Sequence, residues 1–189
     1  MQYRILSFDP GLSFSGWALS TVTTGSPVFR IEEYGMLTPN KTVGHKEFRD
    51  SVNTFGSRII TLTILRDLIR ELVTSRRPDF VASEDTFFNP RRPSAYEALL
   101  HWILTVTFVL KDDFSMPLIK VPPKLVKKYI SNDGTSTKEG VQAAIFHHKD
   151  IQFNEIYQEP IELTEHEGDA IAIGYSCWNI LKENHTLGE

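Results

Sequence analysis

Cysteine is almost missing from this sequence of 189 residues: Cys177 stands alone, so no intrachain disulfide can form and a reducing compartment suits the chain. A basic surplus is missing as well. The formal net charge is −4, which gives no sign of a chain drawn to polyanions by its average field, although an average says little about one groove. The first ten residues, MQYRILSFDP, hold no long apolar core followed by a small-residue cleavage site, so we expect no signal peptide and a cytoplasmic protein. The most apolar run, Ala98 to Leu110, is too short to span a bilayer and carries His101, and it reads as a buried helix or a subunit interface. Internal repeats, low-complexity stretches and Gly/Ser-rich linkers are absent, and 41% hydrophobic with 23% charged residues describes one globular domain over 1–189.

What is present has a clear order. Tyr3 to Phe8, Gly16 to Val22 and Val28 to Leu37 read as three consecutive antiparallel strands joined by turns at Pro10-Gly11 and Gly25-Ser26-Pro27. Phe55, Ile59, Leu62, Leu65, Ile69 and Leu72 recur at spacings of three and four, the single apolar face of one long helix that Arg76-Arg77-Pro78 stops. A short strand, Phe80 to Glu84, a second long helix, a strand at Pro117–Val121 and short helices at Pro123–Ser131 and Thr137–His147 follow, whereas Lys149 to Leu163 reads as irregular. Thr164 with Glu167 forms a capping-box pattern at the head of a last helix that carries Ile171, Tyr175 and Trp178, with Cys177 as a small buried residue. This order predicts an α/β fold with a mixed sheet flanked by helices, in which the first, fourth and fifth strands are parallel neighbours joined by right-handed crossovers.

That arrangement gathers acids. Asp9 ends the first strand and Glu84 the fourth, so both emerge at one sheet edge. On the last helix His166 and Asp169 are three residues apart and face the same way, as do Glu165 and Asp169 four apart. Asp-Pro-Gly is also ordinary turn chemistry, and glutamates in a first helical turn also serve the helix dipole. Neither explains an imidazole paired with an aspartate. Converging carboxylates without a cation repel one another, so the set points to a hard divalent metal, and two such ions could clamp the attacking and leaving oxygens of a phosphodiester. Basic residues cluster at Arg76-Arg77, Arg91-Arg92 and Lys124, Lys127, Lys128; such runs are commonly solvated surface.

These landmarks carry a family likeness. The sequence resembles the RuvC-type Holliday junction resolvases, of the RNase H-like superfamily, through four segments in order: Asp9-Pro-Gly11 with Gly16; Ser83-Glu84 with Phe87; Val126-Lys127 with Gly134 and Lys138; and His166-Glu-Gly-Asp169-Ala170 with Ile171-Ala172-Ile173. The resemblance implies an RNase H-like fold with a five-stranded sheet in the order 3-2-1-4-5, and an endonuclease that cuts four-way DNA junctions by paired nicks leaving 5′-phosphates. It implies that Asp9, Glu84 and Asp169 bind metal and act in catalysis with His166 at the fourth position, where many members have aspartate; Glu165 is a fallback ligand. The metal implied is Mg2+, with Mn2+ as a substitute and two ions per site. Phe87 matches an aromatic that disturbs stacking at the junction centre, and a stacked base is typically worth about 1–3 kcal/mol. Lys138 matches a lysine near the scissile phosphate, Lys124, Lys127 and Lys128 touch the DNA backbone more loosely, and Arg91 and Arg92, in the loop after Phe87, are expected to contact DNA. The family works as a homodimer, for which the helix face around Leu99, Leu100, Ile103 and Leu104 is the candidate; no membrane or small-molecule cofactor is implied. A viral, bacteriophage or organellar branch fits the acidic balance, placing the protein in host cytoplasm if viral.

Three other readings compete. Another RNase H-fold nuclease would act on branched DNA or RNA–DNA hybrids. An actin-like or sugar-kinase-like ATPase also has an Asp-x-Gly turn after its first strand, but it normally duplicates its sheet domain, and this chain has room for one copy. A junction-binding protein without catalysis would be better served by a surface without clustered carboxylates.

Overall fold

Ile5, Leu6, Ser7 and Phe8 are fully buried in succession, the mark of a strand covered on both faces. A computed structural model describes residues 1–86, 90, 93–131, 138–157 and 162–184, apart from the side chains of Thr42, Lys138, Glu139 and Val141. In it these four residues lie in β1 (Gln2–Asp9), at the centre of the sheet. β1 pairs antiparallel with β2 (Ser15–Thr23), which pairs antiparallel with β3 (Phe29–Leu37), the register slipping between Leu19 and Ser20. On its other side β1 runs parallel to β4 (Phe80–Glu84), and β4 runs parallel to β5 (Leu118–Val121). The expected order 3-2-1-4-5 is therefore present.

The sheet has six strands rather than five. β6 (Ile151–Phe153) lies parallel to β3, making the order β5-β4-β1-β2-β3-β6. It falls inside the stretch read as irregular, because three residues are too few for alternation to register and pairing with Phe29–Ile31 supplies the order instead. Between β3 and the first long helix the chain forms two short helices that sequence patterning did not resolve, α1 (Pro39–Val43) and α2 (Arg49–Phe55), with a 3₁₀ turn at Lys46–Phe48 between them. The long helix is then α3 (Ser57–Arg76), separated from α2 at Gly56, whose φ of 83° favours glycine. The break changes which face is inside. Ile60, Ile64, Leu65, Ile69, Leu72 and Val73 are buried, whereas Phe55 and Ile59 from the expected apolar face stand 63% and 53% exposed.

Helices cover both faces of the sheet. On one side α3 and α4 (Pro93–Phe114) pack Leu65, Ile69, Trp102, Val106 and Leu110 against Leu6, Phe8, Leu19 and Val81. On the other, α5 (Pro123–Ser131), α6 (Lys138–His147) and α7 (Glu165–Glu183) pack against Ile5, Ala18, Val22 and Ala82. Burying each such aliphatic or aromatic side chain contributes about 1.5–3 kcal/mol. The alternation of β1 thus serves two cores. α4 extends the apolar run Ala98–Leu110 to 22 residues, and among the described residues it is the one helix long and apolar enough to cross a membrane, so the run is not too short by length. Ile103 belongs to the core, which removes it from the expected subunit face.

Candidate active site

β1 and β4 are in register from Ile5 opposite Phe80 to Phe8 opposite Ser83, so the next residues, Asp9 and Glu84, leave the sheet side by side at its carboxyl edge. The third acid depends on how near α7 can come. Its start is fixed by the capping box: the Thr164 hydroxyl accepts from the Glu167 backbone N–H, and the Glu167 carboxylate accepts from the Thr164 N–H at 2.8 Å. The buried Ser7 hydroxyl donates to the Ala170 carbonyl at 2.7 Å, tying α7 to the middle of β1. Gly16 completes the approach. A Cβ on Gly16 would lie 1.9 Å from the His166 carbonyl oxygen, so only a residue without a side chain lets the first turn of α7 rest on β2.

The result is one cavity of about 120 Å³ lined by Asp9, Glu84, Asp169, Lys127, Pro123, Val126 and Ile173. Carboxylates from the first strand, the fourth strand and the last helix meet there. His166 lies beside them, its Nδ1–H donating to Asp9 Oδ2 at 2.5 Å, with the Asp9 side chain only 15% exposed. On the opposite wall α5 points Val126 and Ile130 into the core, turns Lys127 into the cavity and leaves Lys124 and Lys128 outward. α5 is held to α7 by the Tyr129 hydroxyl, which donates to Glu183 at 2.8 Å; burial first, then that carboxylate, push the phenol up to about 12. At the rim Lys120 pairs with Asp85 at 3.7 Å.

The donor set is rich in anionic oxygen, the chemistry a hard divalent cation requires. As the side chains stand, no group of three His, Cys, Asp or Glu among the described residues is gathered tightly enough to hold an ion, and the imidazole is engaged with Asp9. The donors fit the ion by type and by shared cavity. Glu165 is exposed at the start of α7 and does not line the cavity. Phe87, Arg91 and Arg92 lie outside the described residues, and Lys138 is described only as the first residue of α6. Two features were not anticipated from the sequence. Lys127 separates from its basic neighbours to enter the cavity, a distinction the helical phase of Val126 and Ile130 could have suggested, and Phe14 lies against His166, which no local pattern announces.

A six-stranded mixed sheet in the order β5-β4-β1-β2-β3-β6, helices on both faces, and carboxylates collected at the end of its central parallel pair describe an RNase H-like fold with an acidic cavity. The chain is RuvC-like in sequence and in fold. It is 27% identical over 175 residues to a crossover junction endodeoxyribonuclease RuvC from Synechococcus sp. (strain RCC307), covering 93% of this chain and 98% of that one. A RuvC from Granulibacter bethesdensis is 27% identical over 142 residues, 75% of this chain and 70% of its own. Among solved structures, T. thermophilus RuvC in complex with a Holliday junction substrate superposes with a TM-score of 0.72 at 16% identity, over 96% of each chain. The yeast mitochondrial Holliday junction resolvase Ydc2 gives 0.64 at 14% identity, over 97% of this chain and 81% of that one. No protein-family model matches the chain.

Proposed function

We propose that this protein is a divalent-metal-dependent, structure-specific DNA endonuclease that resolves four-way junctions by paired, symmetric nicks. The observation that carries the proposal is the meeting of Asp9, Glu84 and Asp169 in one cavity, in a chain similar along nearly its whole length to curated RuvC proteins. Asp9, Glu84 and Asp169 would hold Mg2+, with Mn2+ able to substitute, two ions to a site. Held there, the ions would supply Lewis-acid polarisation of the phosphodiester and a nucleophilic water at neutral pH, and the cut would leave a 5′-phosphate. The chain's own residues do the rest. Asp9 is presented by the end of β1 and oriented by the His166 imidazole. Lys127, which lines the cavity, supplies positive charge toward a phosphate that three carboxylates would repel.

Lys124 and Lys128, exposed on α5, contact the DNA backbone on this reading, and the roles carried by the family likeness give Arg91, Arg92 and Lys138 to the backbone and Phe87 to stacking at the branch point. A four-way junction has two-fold symmetry, so two nicks call for two copies of the site. The exposed face of α4, with Leu100, Leu104 and Phe108 at 36%, 43% and 56% exposure, is the surface we assign to the homodimer. The test is cleavage of a synthetic mobile junction beside a flap, a Y-fork and an RNA–DNA hybrid, with and without Mg2+. Symmetric nicks confined to the junction and dependent on the metal are expected; preference for the hybrid would favour another RNase H-fold activity, and binding without cutting would reject catalysis.

A further inference from the structure

Phe14 is a large aromatic residue that belongs to neither core and stands 43% exposed on the β1–β2 turn. Hydrophobic packing of the fold does not account for its position. Its ring lies against the His166 imidazole, with centres 6.2 Å apart and planes 18° from parallel, an offset stack within the range aromatic pairs adopt. The Lys41 ammonium also sits over the ring, 5.5 Å from its centre.

The turn that carries Phe14 is itself anchored at both ends. Ser15 Oγ donates to the Asp9 carbonyl at 3.0 Å, closing the turn at its base. Ser13 Oγ accepts from Asn40 Nδ2 at 2.8 Å, and Asn40 Oδ1 accepts from the hydroxyl of the buried Thr61 at 2.8 Å, which ties the turn to α3 through the head of α1. A phenyl ring on so fixed a support limits where the imidazole can swing. The His166 side chain is 39% exposed, and its described polar contact is the one to Asp9, so the ring adds a second restraint on the orientation of the imidazole.

We infer that Phe14 is a positioning residue, acting through His166 to hold the Asp9 carboxylate in the orientation that receives the divalent cation. The inference rests on the nuclease reading above. It assigns Phe14 no contact with the reacting atoms. Partners that orient metal-site side chains commonly change metal affinity by about 10–100-fold when removed, which sets the scale.

The test is calorimetric binding of Mn2+ alone, without DNA, to the full chain. Phe14→Ala is expected to weaken Mn2+ binding about 10-fold, at the lower end of that range. Phe14→Leu, which keeps apolar bulk without a planar face, should lose the same amount and covers the case in which alanine disturbs the turn; Phe14→Trp should retain affinity. The deciding comparison is made on His166→Asp. There Phe14→Ala should change nothing further, because the imidazole through which the ring acts is gone. Equal losses in both backgrounds, or no loss in the parent protein, would overturn the inference. Failure of the nuclease reading is seen separately: an Asp9→Asn variant that nicks junctions normally removes that reading, whereas an inactive Asp9→Asn with a His166-independent Phe14 effect removes only the role given to Phe14.

Discussion

α7 and α4 are both long apolar helices, and the sheet treats them differently. Of the 19 residues of α7, 11 are buried, namely Gly168, Ala170 through Trp178 and Leu181, so this helix is enclosed on nearly every side. Of the 22 residues of α4 only five are buried, and Leu100, Leu104 and Phe108 face outward. α7 is made for close approach: Gly174 leaves room for Ser7 of β1 and Phe29 of β3, Gly168 leaves room for Gln142 of α6, and the start of the helix delivers Asp169 to the cavity and His166 to Asp9. α4 offers one face to the core and leaves the other apolar and open. Enclosure fixes a helix in place, which a metal-binding side chain needs; an open apolar face is what a second subunit can cover. On the proposed function, α7 carries residues of the site, and the open face of α4 is the surface assigned to a second copy.

The comparison can be broken at either helix. The largest effect belongs to the enclosed side: Asp9→Asn should lower junction cleavage by roughly 10³-fold, the scale of several kcal/mol of transition-state charge stabilisation, while gel-shift binding of the junction persists. Full nicking by that variant would detach the cavity from catalysis. Next comes the open side. Leu104→Glu with Phe108→Glu should convert a dimer to monomers in sedimentation analysis and abolish paired nicking, while each exposed substitution alters the folding stability of one chain by no more than about 0.5 kcal/mol. A chain that sediments as a monomer before mutation would show that α4 has another use.

Gly16→Ala sharpens the claim that α7 is placed by contact. With a Cβ 1.9 Å from the His166 carbonyl, the helix start must move, at a cost of about 1–3 kcal/mol by thermal melting, and cleavage should fall with it. An unchanged melting curve would mean the helix is not so tightly seated. His166→Asp is smaller: activity should persist with an altered balance between Mg2+ and Mn2+, because the imidazole that holds Asp9 is replaced by a further anionic oxygen donor beside it. A folded but inactive variant would give the imidazole an indispensable role. The smallest effect is on Cys177, fully buried in α7, where burial pushes the thiol up to about 12. Native protein should react with a thiol reagent far more slowly than unfolded protein; rapid labelling would mean α7 opens readily.

Much of the site was legible because its residues stand at element ends. Asp9 and Glu84 were readable as neighbours once two strands separated by a helix were taken as parallel, and the Thr164–Glu167 box marked where α7 starts. The sequence offers no reason of charge to separate Lys127 from Lys124 and Lys128, since charge alone does not tell which side of a helix faces a cavity. Phe55 and Ile59 were placed on the inner face because a spacing pattern runs through Gly56 without registering that the backbone turns there. β6 was missed because its order comes from its partner strand and not from its own three residues.

By itself the sequence determined the succession of strands and helices, the parallel pairing at the sheet centre and the carboxylates at its edge, because periodicity, turn chemistry and capping are local properties written in neighbouring residues. Tertiary structure alone decided that α7 lies close enough on Gly16 to bring His166 to Asp9, that Phe14 lies against that imidazole, that Lys127 turns inward, and that α4 keeps an apolar face open. Those outcomes depend on distances between segments far apart in the chain, which are set by packing and by the space a missing side chain leaves.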